Sequence, residues 1–249
     1  MSLDFKDRIA IISGAASGMG LLAAQELSRA GAKVLLADVN AAAVEAAAEG
    51  LRGSGSEAVG LKVDVRKYAE VKRAADMALE TFGRIDILLN FAGGAETRVC
   101  NCHKPFHELP VEVIDWGLDV NLKGAVYFCH AVLGAMIRQK RGVMINLGSV
   151  TGVEGSAGAV SYSAAKSGII GLTKALALSG APYGVRACCV SPGPVLTRPA
   201  MANMKTRLGR AAEPQEVVDL ILYLCSEKAA FITGSNYMID GGRTCGGMD

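Results

Sequence analysis

The stretch SYSAAK, Ser161 to Lys166, sets a phenol and an ammonium four positions apart among small residues. On a helix two such positions share one face, a turn apart, so the lysine can favour phenolate and bring the tyrosine below its usual pKa of about 10. A group tuned in this way can take the proton of an alcohol while a hydride leaves the same carbon, a transfer that contributes about 10² to 10⁴ in rate when well positioned. Y-x-x-x-K also describes an ordinary surface pair, so Tyr162 and Lys166 need partners. Ser149 is one: it closes a strand-like run 13 residues before Tyr162, where its hydroxyl can hydrogen-bond a carbonyl oxygen as charge develops.

A second group lies near the N-terminus. In SGAASGMG, residues 13 to 20, the glycines Gly14, Gly18 and Gly20 follow a strand and open a helix, with Ser17 and Met19 between them. Such a turn lets backbone approach a pyrophosphate, whose charge a helix N-terminus favours. The spacing is G-x-x-x-G-x-G rather than G-x-G-x-x-G, and a tight turn without a ligand reads the same way. Asp38 ends the next strand, 18 residues beyond Gly20, where an acidic group reaches ribose hydroxyls. Its carboxylate accepts from a free 2′-hydroxyl and repels a 2′-phosphate. Ala15, Ala16, Val39 and Asn40 offer no compensating cation, so the pattern favours NAD over NADP. A helix N-cap role for Asp38 is compatible with this.

The elements that must position these groups are legible as an alternation. Short apolar runs at 9–13, 33–38, 58–64, 85–90, 143–149, 185–191 and 235–240 read as buried strands, and residues 18–30, 41–52, 67–82, 112–139, 160–179 and 214–226 carry helical periodicity. Strict alternation predicts right-handed crossovers onto a parallel sheet of about seven strands covered on both faces: a single-domain, Rossmann-type doubly wound α/β fold over 1–249. Its ligands belong at the carboxyl ends of the strands.

Composition narrows the class. A chain of 249 residues with 51% hydrophobic but only 5% aromatic content and 30 glycines suits closely packed layers. A formal net charge of +2 calls for no polyanionic partner, so nucleic-acid binding is not expected. The start MSLDFKDRIAIISGA has no basic-then-apolar leader, and no later apolar run suggests a membrane helix; a soluble, cytoplasmic protein is expected. Seven cysteines, an odd and scattered set, read as buried free thiols rather than a disulfide framework.

Taken with Ser149 and YSAAK, the chain resembles the short-chain dehydrogenase/reductase superfamily nearly end to end: SGAASGMG at 13–20, DV at 64–65, NFAG at 90–93, Asn121, Ser149, YSAAK at 162–166, PGPVLT at 192–197 and DGG at 240–242. The resemblance implies Tyr162 as acid/base, Ser149 as the carbonyl-orienting donor, Lys166 on the nicotinamide ribose and Asn121 holding a water in a proton relay. It implies further cofactor contacts at Val39, at Asp64 and Val65 beside adenine, at Asn90, Ala92 and Gly93 along the wall, and at Pro192, Gly193, Val195 and Thr197 around the carboxamide. It also implies a homotetramer. Asn121 by itself is a poor mid-helix residue, which argues for a function.

The chain departs from the family at Phe91, where a second asparagine is usual, and between Thr197 and Leu208, where the segment that folds over substrate looks short. The stretch GGAETRVCNCHKPFHELP, 93 to 110, is the most individual part. Cys100, Cys102, His103 and His107 have soft-ligand chemistry, but C-x-C-H lacks paired C-x-x-C spacing and no metal is expected. A loop beside the substrate explains it more simply, with Arg98, His103 and Lys104, and beyond Ser149 the residues Thr151, Glu154 and Ser156, as polar contacts. The expectation is an NAD-dependent oxidoreductase of secondary alcohols and ketones with a polar small-molecule substrate such as a sugar or polyol. The rivals are an NADPH-dependent 3-oxoacyl-carrier-protein reductase and a dinucleotide-binding regulator without catalysis.

Overall fold

The computed structural model describes residues 3–246, so residues 1–2 and the last three of the tail GGRTCGGMD lie outside it. Seven strands form one parallel sheet in the order β3-β2-β1-β4-β5-β6-β7. They are β1 (Ile9–Ser13), β2 (Lys33–Asp38), β3 (Ala58–Lys62), β4 (Ile87–Asn90), β5 (Gly142–Leu147), β6 (Val185–Pro192) and β7 (Asn236–Ile239). Strand order reverses between β1 and β4, which pair directly through Ala10 to Ser13, and this opens a crevice at their carboxyl ends.

The helices are α1 (Gly18–Arg29), α2 (Ala41–Gly53), α3 (Tyr68–Phe82), a short α4 (Glu96–Val99), α5 (Val111–Leu118), α6 (Gly124–Gln139), a short α7 (Thr151–Glu154), α8 (Val160–Gly180) and α9 (Pro214–Cys225). Side chains alternate across the sheet with the period of two that a strand imposes. Ile12, Leu36, Leu89, Ile145 and Cys188 face α1, α2 and α9. Ile11, Leu35, Leu88, Met144 and Ala187 face α3, α6 and α8. Both faces are covered, so the strands read as unbroken apolar runs.

Local signals set the helix ends. Asn40, not Asp38, caps α2, its Oδ1 accepting from Ala43 N at 3.1 Å. Gly83 closes α3 in the left-handed conformation, and α9 opens with Pro214 and a Glu213/Glu216 capping box. All seven cysteines are free thiols, but only four are buried; Cys100 and Cys102 are half-buried and Cys245 is exposed.

The single helix expected over 112–139 is interrupted. Between α5 and α6, Asp119–Lys123 winds as one π turn, with Asn121 buried inside it. The continuous rod Val111–Gln139 is 29 residues long and reaches a mean hydropathy of 1.4, long and apolar enough to cross a membrane by length and composition, which corrects the expectation that no stretch comes near that size. Here Phe128, Cys129, Val132 and Met136 on its apolar side are buried in the core.

Candidate active site

β5 stops at Leu147 and the chain turns at Gly148, where an added Cβ would lie 2.3 Å from Ser191 Oγ, so this turn lies directly on β6. Ser149 follows two residues beyond the strand's end rather than within it, buried, with its Oγ accepting from Thr151 N at 3.1 Å. α7 then packs on α8 through Gly152, whose added Cβ would lie 2.6 Å from the Lys166 carbonyl carbon. Ser149 is thereby brought beside the Tyr162 phenol, near enough to favour phenolate.

Tyr162 and Lys166 stand on one face of α8, with Lys166 Nζ 5.6 Å from the centre of the tyrosine ring. The expected acidification of the phenol by this amine is corrected. Burial pushes the Tyr162 phenol above its ordinary value, opposed by the nearby Ser149 hydroxyl and the charges of Arg98 and Arg198 and reinforced by Glu96. Lys166 is itself buried, which pulls its amine down to about 8, and Nζ donates to the Leu147 carbonyl at 2.6 Å. Desolvation dominates on both side chains.

Asn121 uses its whole carboxamide on backbone. Oδ1 accepts from Gly94 N at 2.8 Å, and Nδ2 donates to Gly94 O and Gly117 O, both at 2.9 Å. The side chain ties the π turn to the loop after β4. An added Cβ at Gly93 would fall 2.5 Å from Asn121 Oδ1 and 3.7 Å from Lys166 Nζ, so Gly93 lets this loop lie against the catalytic group.

A cleft of about 330 Å³ lies at the β1/β4 switch; Ser149, Tyr162, Lys166 and Asn121 do not line it, but it reaches Gly93 and Leu147, whose carbonyl holds Lys166. Ten of the expected cofactor residues line it: Gly14, Ser17, Met19, Gly20, Asp38, Val39, Asp64, Val65, Ala92 and Gly93. The turn is built for close approach. Gly18 has φ +56 with nothing within 4 Å of an added Cβ, whereas one at Gly20 would meet Gly14 O at 2.2 Å. Asp38 closes the far end, Oδ2 accepting from Ala16 N at 3.1 Å and Oδ1 from Asn40 N at 3.0 Å. Asp64 is held in two bonds by Arg66, at 2.9 and 2.7 Å, which keeps its carboxyl below the usual range. A dinucleotide fits this donor set: glycine turn for pyrophosphate, Asp38 for ribose, buried Val65 as an apolar wall, and, at the other end, Gly93 and Leu147 next to Lys166.

Other expected contacts fall elsewhere. Asn90 turns its carboxamide into the sheet, donating to Asn146 Oδ1 at 2.8 Å, and Phe91 lines the cleft in its place. Val195 is buried in the core, and Thr197 N donates to its carbonyl at 2.7 Å. Pro192 accepts from Val150 N at 2.9 Å and Gly193 donates to Ile239 O at 3.0 Å. Both hold the loop after β6 against its neighbours.

The individual stretch after Gly93 folds as α4 and a short 3-10 turn. His103, Lys104 and His107 are exposed, and among the described residues no three of His, Cys, Asp and Glu converge as a metal site. Glu154 is held by Arg243 at 3.0 Å rather than left for substrate, and the same C-terminal turn packs its glycines on Thr206 and Arg207. The far end of the short segment after Thr197 thus packs against Gly241 and Gly242. Arg66, Trp116 and Val120 also line the cleft, and Glu96 and Arg198 act on the phenol; none was singled out from sequence. The lone tryptophan was the available signal, whereas Glu96 and Arg198 carry no spacing that points to Tyr162.

The family whose model matches residues 14–244 is described as enoyl-(acyl carrier protein) reductase. Cis-4-hydroxycyclohexanecarboxylate dehydrogenase from Sinomonas cyclohexanicum is 34% identical, over 96% of this chain and 98% of its own. D-threitol dehydrogenase from Mycolicibacterium smegmatis is 35% identical, over 98% and 97%. The crystal structure of gox2181 superposes with a TM-score of 0.90 at 30% identity, covering 98% of both chains. With the glycine turn, Ser149, Tyr162 and Lys166 gathered at one sheet edge, these similarities make this chain a member of the short-chain dehydrogenase/reductase family, whose dehydrogenases work with nicotinamide dinucleotides.

Proposed function

We propose that the protein is an NAD-dependent dehydrogenase of secondary alcohols, with Tyr162 as the acid/base. The observation that carries the reading is that Tyr162 and Lys166 stand together beside Ser149, with Lys166 bound to the carbonyl of Leu147, which lines a cleft whose other end is closed by Asp38. The bound nicotinamide would accept or return the hydride. Tyr162 takes the hydroxyl proton in oxidation and gives it back in reduction, while Ser149 donates to the substrate oxygen as it becomes a carbonyl. Lys166, fixed by Leu147, places positive charge beside the ring, and Asn121 holds the loop at Gly94, leaving its own backbone as the place for a relay water.

NAD is favoured because Arg66, the only guanidinium lining the cleft among the described residues, is already committed to Asp64. A 2′-phosphate would meet Asp38 without an unengaged cation from these residues. The same reasoning sets aside the NADPH-dependent reductase of carrier-bound acyl chains. The substrate side supports a polar molecule: Arg98 and Arg198 act on the phenol, and neither forms an ion pair among the described residues. A hydroxy acid or polyol suits them, the two classes named by the relatives above. Cytoplasmic location and a homotetramer belong to this reading, the latter open to analytical ultracentrifugation.

The test is a screen of purified protein with NAD and NADP against 4-hydroxycyclohexanecarboxylate, cyclohexanol, threitol and carrier-bound 3-oxoacyl chains, following absorbance of the reduced coenzyme. NAD-linked turnover of an alcohol is expected. Turnover confined to NADPH and acyl chains replaces the reading by its rival, and coenzyme binding without any turnover supports a regulator.

A further inference from the structure

Glu96, in the individual stretch 93–110, is fully buried and is the first residue of α4. Its Oε1 accepts the Ser161 hydroxyl at 2.6 Å and the Tyr162 backbone N–H at 3.3 Å; Oε2 is buried with no hydrogen-bond partner among the described residues. The location of these bonds matters. α8 begins after Ala159, a residue with no side chain able to cap, and no side chain of its own caps the helix. Counting from Ala159 as N-cap, Tyr162 is N3, the position whose N–H a capping oxygen ordinarily satisfies. Glu96 supplies that oxygen from 66 residues away, and it places a negative charge where the helix dipole favours one.

The packing leaves little freedom. An added Cβ at Gly117 would lie 3.0 Å from Ser161 Oγ and 3.2 Å from Glu96 Cβ, and the Gly117 carbonyl is itself bound by Asn121. Glu96 thus couples the first turn of α8, the π turn and the loop after β4.

We infer that Glu96 is a positioning residue for proton transfer: by capping α8 at Tyr162 itself it aims the phenol at Ser149. This rests on the dehydrogenase reading above. A second consequence follows from its charge. The phenol is faced by Ser149 after β5, Lys166 on its own helix, Arg98 and Glu96 on α4, and Arg198 after β6; of these Glu96 alone opposes phenolate by charge.

The test compares full-length wild type with Glu96→Ala and Glu96→Gln. Glu96→Ala is expected to lower kcat by about tenfold or more with the coenzyme Kd within about twofold. Glu96→Gln keeps an acceptor for the cap, so its kcat falls less, and its rate–pH limb for alcohol oxidation moves to lower pH, because a negative charge near the phenol is gone. Amide hydrogen exchange gives a readout independent of turnover: Glu96→Ala should speed exchange in the first turn of α8 and leave its middle unaltered. An Ala variant with near-normal kcat, a Gln variant whose limb stays or moves upward, or unaltered exchange in the first turn overturns the inference. Should Glu96→Ala fail to fold, the Gln limb and exchange decide. A wild type without turnover removes the dehydrogenase reading, and the exchange result then decides the capping alone.

Discussion

At one end of the cleft backbone does most of the shaping; at the other, side chains from distant elements meet. The glycine turn approaches to 2.2 Å between an imagined Gly20 Cβ and Gly14 O, and Asp38 receives two backbone N–H groups. Around Tyr162, by contrast, Ser149 comes from beyond β5, Glu96 and Arg98 from α4, and Arg198 from beyond β6. A backbone-shaped site admits few residue types and keeps a recognisable pattern. A site assembled from remote side chains admits many solutions, and this is where relatives acting on a hydroxy acid and a tetritol can differ while sharing one sheet.

The difference can be broken by substitution. At the coenzyme end the largest effect is expected from Gly20→Ala, where the clash is backbone on backbone and nothing can rotate aside. Coenzyme affinity measured by calorimetry should fall about a hundredfold or more. Gly18→Ala should be milder, since its cost is only the left-handed backbone at φ +56, about 1–2 kcal/mol. Equal losses in the two variants would show that close approach is not what the turn provides.

At the tyrosine end Lys166→Met separates stability from function. Burial lowers the folded amine from its ordinary 10.5 to about 8, and each pKa unit corresponds to about 1.4 kcal/mol, so burying the charge costs roughly 3 kcal/mol. Below pH 8 both folded and unfolded amines are charged and that cost is present in full. As pH rises from 8 to 10.5 the folded protein releases its proton first, and the cost disappears. In urea titrations the variant should therefore exceed wild type in stability by most at pH 7 and by progressively less toward pH 10.5, while losing activity. A pH-independent difference would contradict the assignment.

The smallest effect sharpens cofactor choice. Asp38→Ala should weaken NAD and raise the NADP-to-NAD ratio of kcat/KM by about tenfold, since a repulsive carboxylate leaves and no cation is gained. An unaltered ratio would mean that the ribose lies elsewhere.

The same contrast explains what could be read in advance. β1 and β2 fall at the residues predicted, because a parallel strand buried on both faces is an uninterrupted apolar run with a turn signal at each end. Gly14, Gly20 and Asp38 were legible for the steric and charge reasons above. The π turn at Asn121 was not, since one extra residue per turn leaves the apolar pattern of 112–139 unbroken; only the awkward asparagine hinted at it. Asn90 does not line the cleft, because its register opposite Asn146 turns the two carboxamides to each other inside the sheet, which the sequence of β4 alone does not show. Glu96 could not have been found, because an acid opening one short helix and the start of a helix remote in sequence share no local pattern. The direction of the Tyr162 shift was missed for a related reason: helical spacing shows that Lys166 is near but not how deeply both groups are buried.

The central claim is that the Tyr162 hydroxyl is the group that exchanges the proton with substrate. Tyr162→Phe keeps the ring and removes that hydroxyl, so its coenzyme Kd and its kcat should be measured side by side with wild type on the best alcohol substrate. The account predicts a Kd within about twofold and a kcat lower by about a thousandfold. A kcat within about tenfold of wild type would contradict it.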